Sequence, residues 1–220
     1  MHLALIQPQF APNLYDLAAM LRADQVLLQD VETWSRKSRC HRAKIRIVQG
    51  TQWINLPIKT EDKGLPVNEV RINHDEDWLE PFQNALNYNY RNSVYYDFYE
   101  AEISALLNEA KQFDKLLDFD QFFFDHLLRY LELDIPYKLT SQIEGYDPNP
   151  DRLMENLGAN VLFQEHKAKN YQRQSPQTLP ALTNHPVYRQ HFEGFEPGCC
   201  VLDLLFQYGP ESFRILDELS

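Results

Sequence analysis

Apolar positions recur along the chain with two different spacings, and the spacing predicts the element. Residues 3–7 (Leu-Ala-Leu-Ile-Gln) are a short apolar run followed by a Pro-containing loop, the pattern of a buried strand. Pro8 and Pro12 forbid regular structure between them. Leu14, Leu17, Ala18 and Leu21 then fall on one helical face, predicting a helix over 15–23. Residues 25–31 are strand-like again. This strand–loop–helix–strand order is a βαβ unit, so the first two strands are expected to be parallel with a right-handed crossover.

Farther along, Ala43–Val48 alternates, with Lys44 and Arg46 on one face and Ile45 and Ile47 on the other. Gln49-Gly50 marks a turn and Trp53–Ile58 a second strand, so a hairpin is expected. Glu69–Asn73 reads as a further strand. Residues 78–90 predict a helix, and Ile103, Leu106, Leu107 and Ala110 share a face of another. Phe119, Phe123, Leu127 and Leu131 form an i+4 row in a third, with Asp118 or Asp120 as its cap and Pro136 as its end. Tyr137–Thr140 and Val161–Gln164 read as strands, and Asp151–Leu157 as a short helix ended by Gly158. From 166 to 184 the pattern is lost, which fits either an ordered surface loop or a mobile flap. Val201–Tyr208 and Glu211–Leu219 are helical, with Pro210 in a first turn. The expectation is one α/β domain over 1–220. It has a βαβ-containing, mostly parallel sheet, a β-hairpin insertion, a helical segment at about 78–134 and C-terminal helices.

Composition adds a compartment. With 44% hydrophobic residues, 13 Phe and 12 Tyr, the chain can build a core without disulfides. Cys40, Cys199 and Cys200 are an odd set with an adjacent pair, which suits free thiols in a reducing compartment. The opening MHLALIQPQF lacks a basic leader, and no run approaches the ~18 apolar residues of a membrane span. A cytoplasmic protein without a membrane span is expected.

Charge changes the picture more. The net charge of −11 argues against a nucleic-acid partner. Yet Arg36, Lys37, Arg39, Arg42, Lys44 and Arg46 lie within eleven positions with no acidic residue among them. Guanidinium and ammonium groups so gathered suit a phosphate or carboxylate; an edge strand kept soluble by its charges gives the same pattern. Three further features carry candidate chemistry. The loop from Gln7 to Tyr15 leaves a strand end and enters a helix, where anions are favoured, or else is a rigid connector. It has no glycine and is therefore not a phosphate loop. Asp30 and Glu32, spaced i, i+2, would share a face of a continuing strand and supply an acid/base pair, or only neutralise the cations after them. His185 suits a general base beside a flap, or a structural hydrogen bond. No His accompanies the adjacent cysteines at metal-ligand spacing, so no metal site and no cofactor is expected.

Several of these segments together resemble the WbqC-like proteins of bacterial polysaccharide gene clusters. Ala4-Leu5-Ile6-Gln7-Pro8-Gln9-Phe10-Ala11-Pro12 is similar to that family's strand-QPxFxP opening. Leu28-Gln29-Asp30-Val31-Glu32 resembles its acidic second-strand end. Lys37 to Ile45, with Arg42, resembles its basic stretch, and Gly50, Trp53 and Pro57 fit its G..W…P pattern. His185-Pro186-Val187-Tyr188 and Leu202-Asp203-Leu204-Leu205-Phe206-Gln207-Tyr208-Gly209-Pro210-Glu211 are similar to its closing signature. The chain departs from the pattern at Leu14-Tyr15-Asp16, at Cys40-His41-Arg42 and at Cys200.

The resemblance implies a role in making O-antigen or a related surface glycan, with transfer of an acyl or aminoacyl group such as glycyl to a nucleotide-linked amino sugar. On that reading Arg36, Lys37, Arg39, Arg42, Lys44 and Arg46 include the diphosphate clamp, and Gln7, Tyr15 and Glu32 line the pocket. Asp30 or His185 is the base that deprotonates the sugar amine. Two other readings stay open. One is a non-catalytic accessory protein that docks its basic segment in a glycan-assembly complex. The other is a nucleotidyltransferase-like enzyme, which lacks the paired histidines expected of it.

Overall fold

In the computed structural model, which describes residues 1–219, the opening segments form the expected unit. β1 (His2–Ile6) runs parallel to β2 (Gln25–Leu28), and α1 (Leu14–Leu21) joins them. β1 is apolar without alternation because both its faces are covered. Leu3 and Leu5 pack with Leu27, Leu153 and Met154, while Ala4 and Ile6 pack into the larger core with Leu14 and Leu17. α1 starts where the Asn13 side chain accepts from the Asp16 N–H.

β5 (Tyr137–Leu139) pairs parallel with β2, and β6 (Val161–Gln164) pairs parallel with β1. The sheet order is therefore β5–β2–β1–β6. In chain order these are the third, second, first and fourth sheet strands, so growth of the sheet reverses at β1. Parallel sheets bind ligands in the crevice that opens at such a reversal, beyond the strands' carboxyl ends. Here that crevice lies between the residues following Ile6 and those following Gln164. α5 (Pro150–Leu157) covers the other sheet face; the Asn149 side chain caps it, and Gly158 ends it at φ 68°.

The long excursion between β2 and β5 carries the rest. β3 (Arg42–Arg46) and β4 (Thr51–Asn55) form the antiparallel hairpin. α2 (Leu79–Tyr90), α3 (Tyr96–Glu109) and α4 (Leu116–Tyr130) form the helical segment. Phe10, from the loop after β1, is fully buried with its ring centroid 5.7–6.0 Å from those of Phe82, Phe119 and Phe123. One aromatic thus joins the sheet to α2 and α4. α6 (Val201–Tyr208) closes the structure: the Cys200 N–H donates to the Lys44 carbonyl (2.7 Å) and the Val201 N–H to the Pro12 carbonyl (2.8 Å). These two bonds tie the β1 loop to the hairpin.

The structure corrects five local expectations. Residues 69–73 form no strand; a 3-10 turn over Val67–Glu69 is followed by isolated bridges from Arg71 to Lys115 and from Ile72 to Ile58. α4 begins at Leu116, before either proposed cap. Asp120 therefore sits one turn inside the helix, buried, with neither carboxylate oxygen hydrogen-bonded. α4 stops at Tyr130, well short of Pro136. The last helix is only α7 (Phe213–Leu216), after a 3-10 turn at Gly209–Ser212. β2 ends at Leu28, so Asp30 and Glu32 do not share a strand face. The stretch 166–184 is irregular but pinned. The buried Gln172 side chain donates to the Leu5 carbonyl (2.7 Å), and the Leu179 N–H to the Leu162 carbonyl (2.9 Å). Among the described residues no helix is long and apolar enough to cross a membrane.

Candidate functional site

The crevice at the end of β1 and β6 is floored by two buried carboxylates and one guanidinium. Asp16, in the first turn of α1, is fully buried. It accepts from Arg39 Nη1 (2.5 Å), Asn13 Nδ2 (2.9 Å), Gln9 Nε2 (3.2 Å) and the His166 N–H (2.9 Å). Glu165, the first residue after β6, accepts from Tyr171 Oη (3.0 Å), Gln9 Nε2 (3.1 Å) and the Gln7 N–H (3.3 Å). Gln9 thus bridges the two acids. Arg39 also donates to the His166 carbonyl. Two carboxylates and one cation in a dry floor leave one negative charge in excess. Burial and then the field of Asp16 raise the Glu165 pKa, against the pull of Arg39, so its protonated form is favoured.

Above this floor stands an aromatic and cationic wall. Tyr15 stacks on His166 with centroids 3.9 Å apart and planes 7° from parallel, and His185 meets Tyr15 edge-on at 4.8 Å. Two open clefts of about 110 and 160 Å³ adjoin here, both lined by Tyr15, His166 and Lys167. Arg39 and Lys44 join Lys167 in the smaller, which has no acidic lining residue. Lys44 Nζ donates to the Pro197 carbonyl (3.1 Å). Gly198, at φ 75°, passes so close that a Cβ there would lie 3.1 Å from Lys44 Nζ. Lys167 itself holds φ 60°, a left-handed backbone uncommon outside glycine. Such conformations gather at functional sites.

The histidines are set as neutral groups. Burial lowers the pKa of both His166 and His185; Lys167 adds to this for His166, while the Pro186 bond opposes it for His185. His185 Nδ1 lies 2.8 Å from the Pro186 carbonyl, which only accepts, so Nδ1 carries the proton. Nε2 is left with its lone pair toward the Gly198 N–H, at a long 3.4 Å.

The other residues singled out in the sequence lie elsewhere. Gln7 is buried beneath the clefts, where its Oε1 accepts from the Cys40 thiol (3.4 Å) and its Nε2 has no partner. Asp30 is closed into a network at the foot of β5, accepting from Thr140 Oγ1 (2.8 Å), the Ser141 N–H (2.9 Å) and Asn68 Nδ2 (3.3 Å). Glu32 accepts from Tyr146 Oη (3.3 Å). Arg36 and Lys37 are exposed. Arg42 lies over the Trp53 ring at 4.3 Å and donates to the Lys37 (2.6 Å) and Ser38 (3.0 Å) carbonyls. Arg46 is buried behind the hairpin turn, donating to the carbonyls of Ile47, Gly50 and Glu193. Of the six clustered cations, Arg39 and Lys44 line the cationic cleft.

Sequence reasoning missed Asp16, Gln9, Glu165, His166 and Lys167. Asp16 was noted only within Leu14-Tyr15-Asp16, as a departure from the family pattern. Glu165-His166-Lys167 stood at the edge of the irregular stretch; their position immediately after a strand of a parallel sheet was the available signal. Among the described residues no group of three His, Cys, Asp or Glu side chains is arranged to hold a metal ion.

A relative from Mycobacterium tuberculosis, the uncharacterized protein Rv1507c, is 23% identical over 224 residues, covering 95% of this chain and 94% of that protein. No solved structure matches. The model of the WbqC-like protein family matches residues 7–215, a span that takes in both sides of the crevice, and the chain belongs to that family.

Proposed function

We propose that the chain is an enzyme of surface-glycan biosynthesis that transfers an acyl or aminoacyl group, such as glycyl, to the amine of a nucleotide-linked amino sugar. The observation that carries this reading is the cleft in which Arg39, Lys44 and Lys167 converge without an acidic lining residue, in a chain of net charge −11. Such a site takes a diphosphate. The sugar amine then lies near Tyr15 and His185. His185 Nε2, giving up its long contact with the Gly198 N–H, takes the amine proton as the nitrogen attacks the acyl carbonyl carbon. The bond to the donor's leaving group breaks, and that group departs with its electron pair. The nucleophile belongs to the substrate. The buried thiols are not needed, and burial raises the pKa of Cys40 and Cys200 above the usual thiol range. Asp30, bonded on both oxygens, serves on this reading to hold β5 against β2.

Arg39 is a poor probe, because removing it leaves the buried Asp16 carboxylate without its ion-pair partner, a loss of ~3–5 kcal/mol of stability. Lys167→Gly is better, since glycine accepts the left-handed backbone. This variant and Lys44→Met should fold normally and each weaken calorimetric binding of a uridine-diphosphate sugar by ~1.5 kcal/mol. Unchanged affinity in both would sink the clamp. In a transfer assay, His185→Gln should lower kcat by about 10²-fold or more while leaving that affinity intact; an unchanged kcat would remove His185 as the base.

A further inference from the structure

The hairpin and the start of α2 build a second cleft, on the other side of Trp53 from Lys44. Trp53 (37% exposed, on β4) and Trp78 (immediately before α2) wall it together with Phe82, Pro57 and Pro81. Its volume is about 370 Å³, at the lower end of the ~300–1,000 Å³ of small-molecule pockets. The polar groups at its edge are the Gln52 and Asn55 amides and the Glu76 carboxylate. Glu76 is itself oriented by Asn73 Nδ2 (2.8 Å). No Lys, Arg or His lines this cleft, so its chemistry is the reverse of its cationic neighbour's.

An exposed indole, that of Trp53, beside the buried Trp78 and Phe82 rings, with two amides and one carboxylate among the lining residues, suits a ligand with a C–H face and a ring of hydroxyls. The C–H face packs on indole, and hydroxyls both donate to Glu76 and bond with either end of an amide. That ligand is a pyranose. Trp53 also lines the cationic cleft, so the two clefts meet at one indole. The Arg42 guanidinium over its ring, at 4.3 Å, holds that indole in place.

We infer that the Trp53–Trp78 cleft is a saccharide subsite. It takes the uncharged sugar portion of a ligand whose phosphates sit among Arg39, Lys44 and Lys167. Its place in a reaction rests on the function proposed above; the binding itself rests on the lining chemistry alone.

The test uses two probes on the full chain: N,N′-diacetylchitobiose, an uncharged amino-sugar disaccharide, and uridine diphosphate. Saturation-transfer NMR and tryptophan fluorescence report each one. Chitobiose should receive transfer at its ring protons and perturb the indole emission. Trp53→Ala, and independently Asn55→Ala at an exposed amide, should weaken it about tenfold. Lys44→Met and Lys167→Gly should leave chitobiose unaffected and weaken uridine diphosphate. No chitobiose signal in the wild type, or a signal that both cleft variants leave unchanged, overturns the subsite. Chitobiose binding with the expected variant pattern but no uridine diphosphate binding upholds the subsite and overturns the nucleotide reading instead.

Discussion

At the residue scale, His41 shows how a charged stretch hides a group that must stay neutral. It is buried beside Trp34, whose indole N–H donates to Nδ1 at 3.2 Å. Burial, aided by Arg42, lowers its pKa to about 4. An unfolded histidine titrates near ~6.5, so the folded state binds fewer protons between these values. Stability conferred by the neutral ring is present above pH ~6.5 and lost as pH falls toward about 4, at most ~3 kcal/mol. Glu165 opposes this trend, because its raised pKa favours the folded state as pH falls toward the ordinary carboxylate range. Comparing variants separates the two. His41→Asn retains an acceptor near Nδ1, and its urea-unfolding free energy should decline less than the wild type's between pH 7 and 4.5. Equal declines would remove His41 from this account. From sequence, His41 was visible only within Cys40-His41-Arg42, a departure from the family pattern. Burial, not residue type, gives His41 its behaviour, and no local spacing reports burial.

At the element scale, what could be read depended on whether neighbours in the chain decided the structure. β1, α6 and β6 were legible because their apolar runs continue to the element's end; the hairpin was legible from its turn, although its strands end at Arg46 and Asn55 rather than at Val48 and Ile58. The start of α4 was not, since Lys115 offers no side-chain cap and tertiary packing of Leu116 and Leu117 sets the boundary. Arg46 misled for a related reason. It alternates correctly with Lys44, but the strap at Glu193 folds over its side of β3 and captures the guanidinium. The break after α6 was anticipated from Gly209-Pro210, and the structure adds its reason. Gly209 adopts φ 49° with Tyr95 pressed against it, so that a Cβ would lie 2.6 Å from the ring. Gly209→Ala should therefore destabilise the protein by ~2 kcal/mol or more, through overpacking and backbone strain. Thermal unfolding of this variant at the wild-type temperature would show Tyr95 to be freely movable.

At the scale of the whole molecule, the four-stranded sheet and the helical segment share one core, and Phe10 lies where they meet. Phe10→Ala removes a side chain in contact with α2 and α4 and should cost about 3–5 kcal/mol, measured by chemical denaturation. A loss below ~1 kcal/mol would mean that the two layers hold together without it. The same loop carries Gln9 and Asn13 and leads into the first turn of α1 with Tyr15 and Asp16, so its fixed course also sets the floor of the crevice. The sequence offered Tyr15, Arg39, Lys44 and His185 singly but not the crevice as a whole, because its walls come from residues near 15, 40, 166, 185 and 198. Only the order of strands brings these together. The basic segment was read as one surface, whereas the fold divides it among solvent, the hairpin turn, Trp53 and the cleft.

The position of β1 at the centre of the sheet has a consequence for synthesis. Its partner β2 follows within a few turns of chain, but β6 is made only after the hairpin, α2 to α5 and β5. Throughout that interval an apolar strand presents one row of unpaired backbone groups, a template for joining other nascent chains. Partial chains that stop short of β6 are thus the aggregation-prone species of this protein. Pairing of Leu3 with Leu162 removes the hazard, and the same step brings Glu165 and His166 to Asp16. The step that covers β1 is thus the step that assembles the crevice floor.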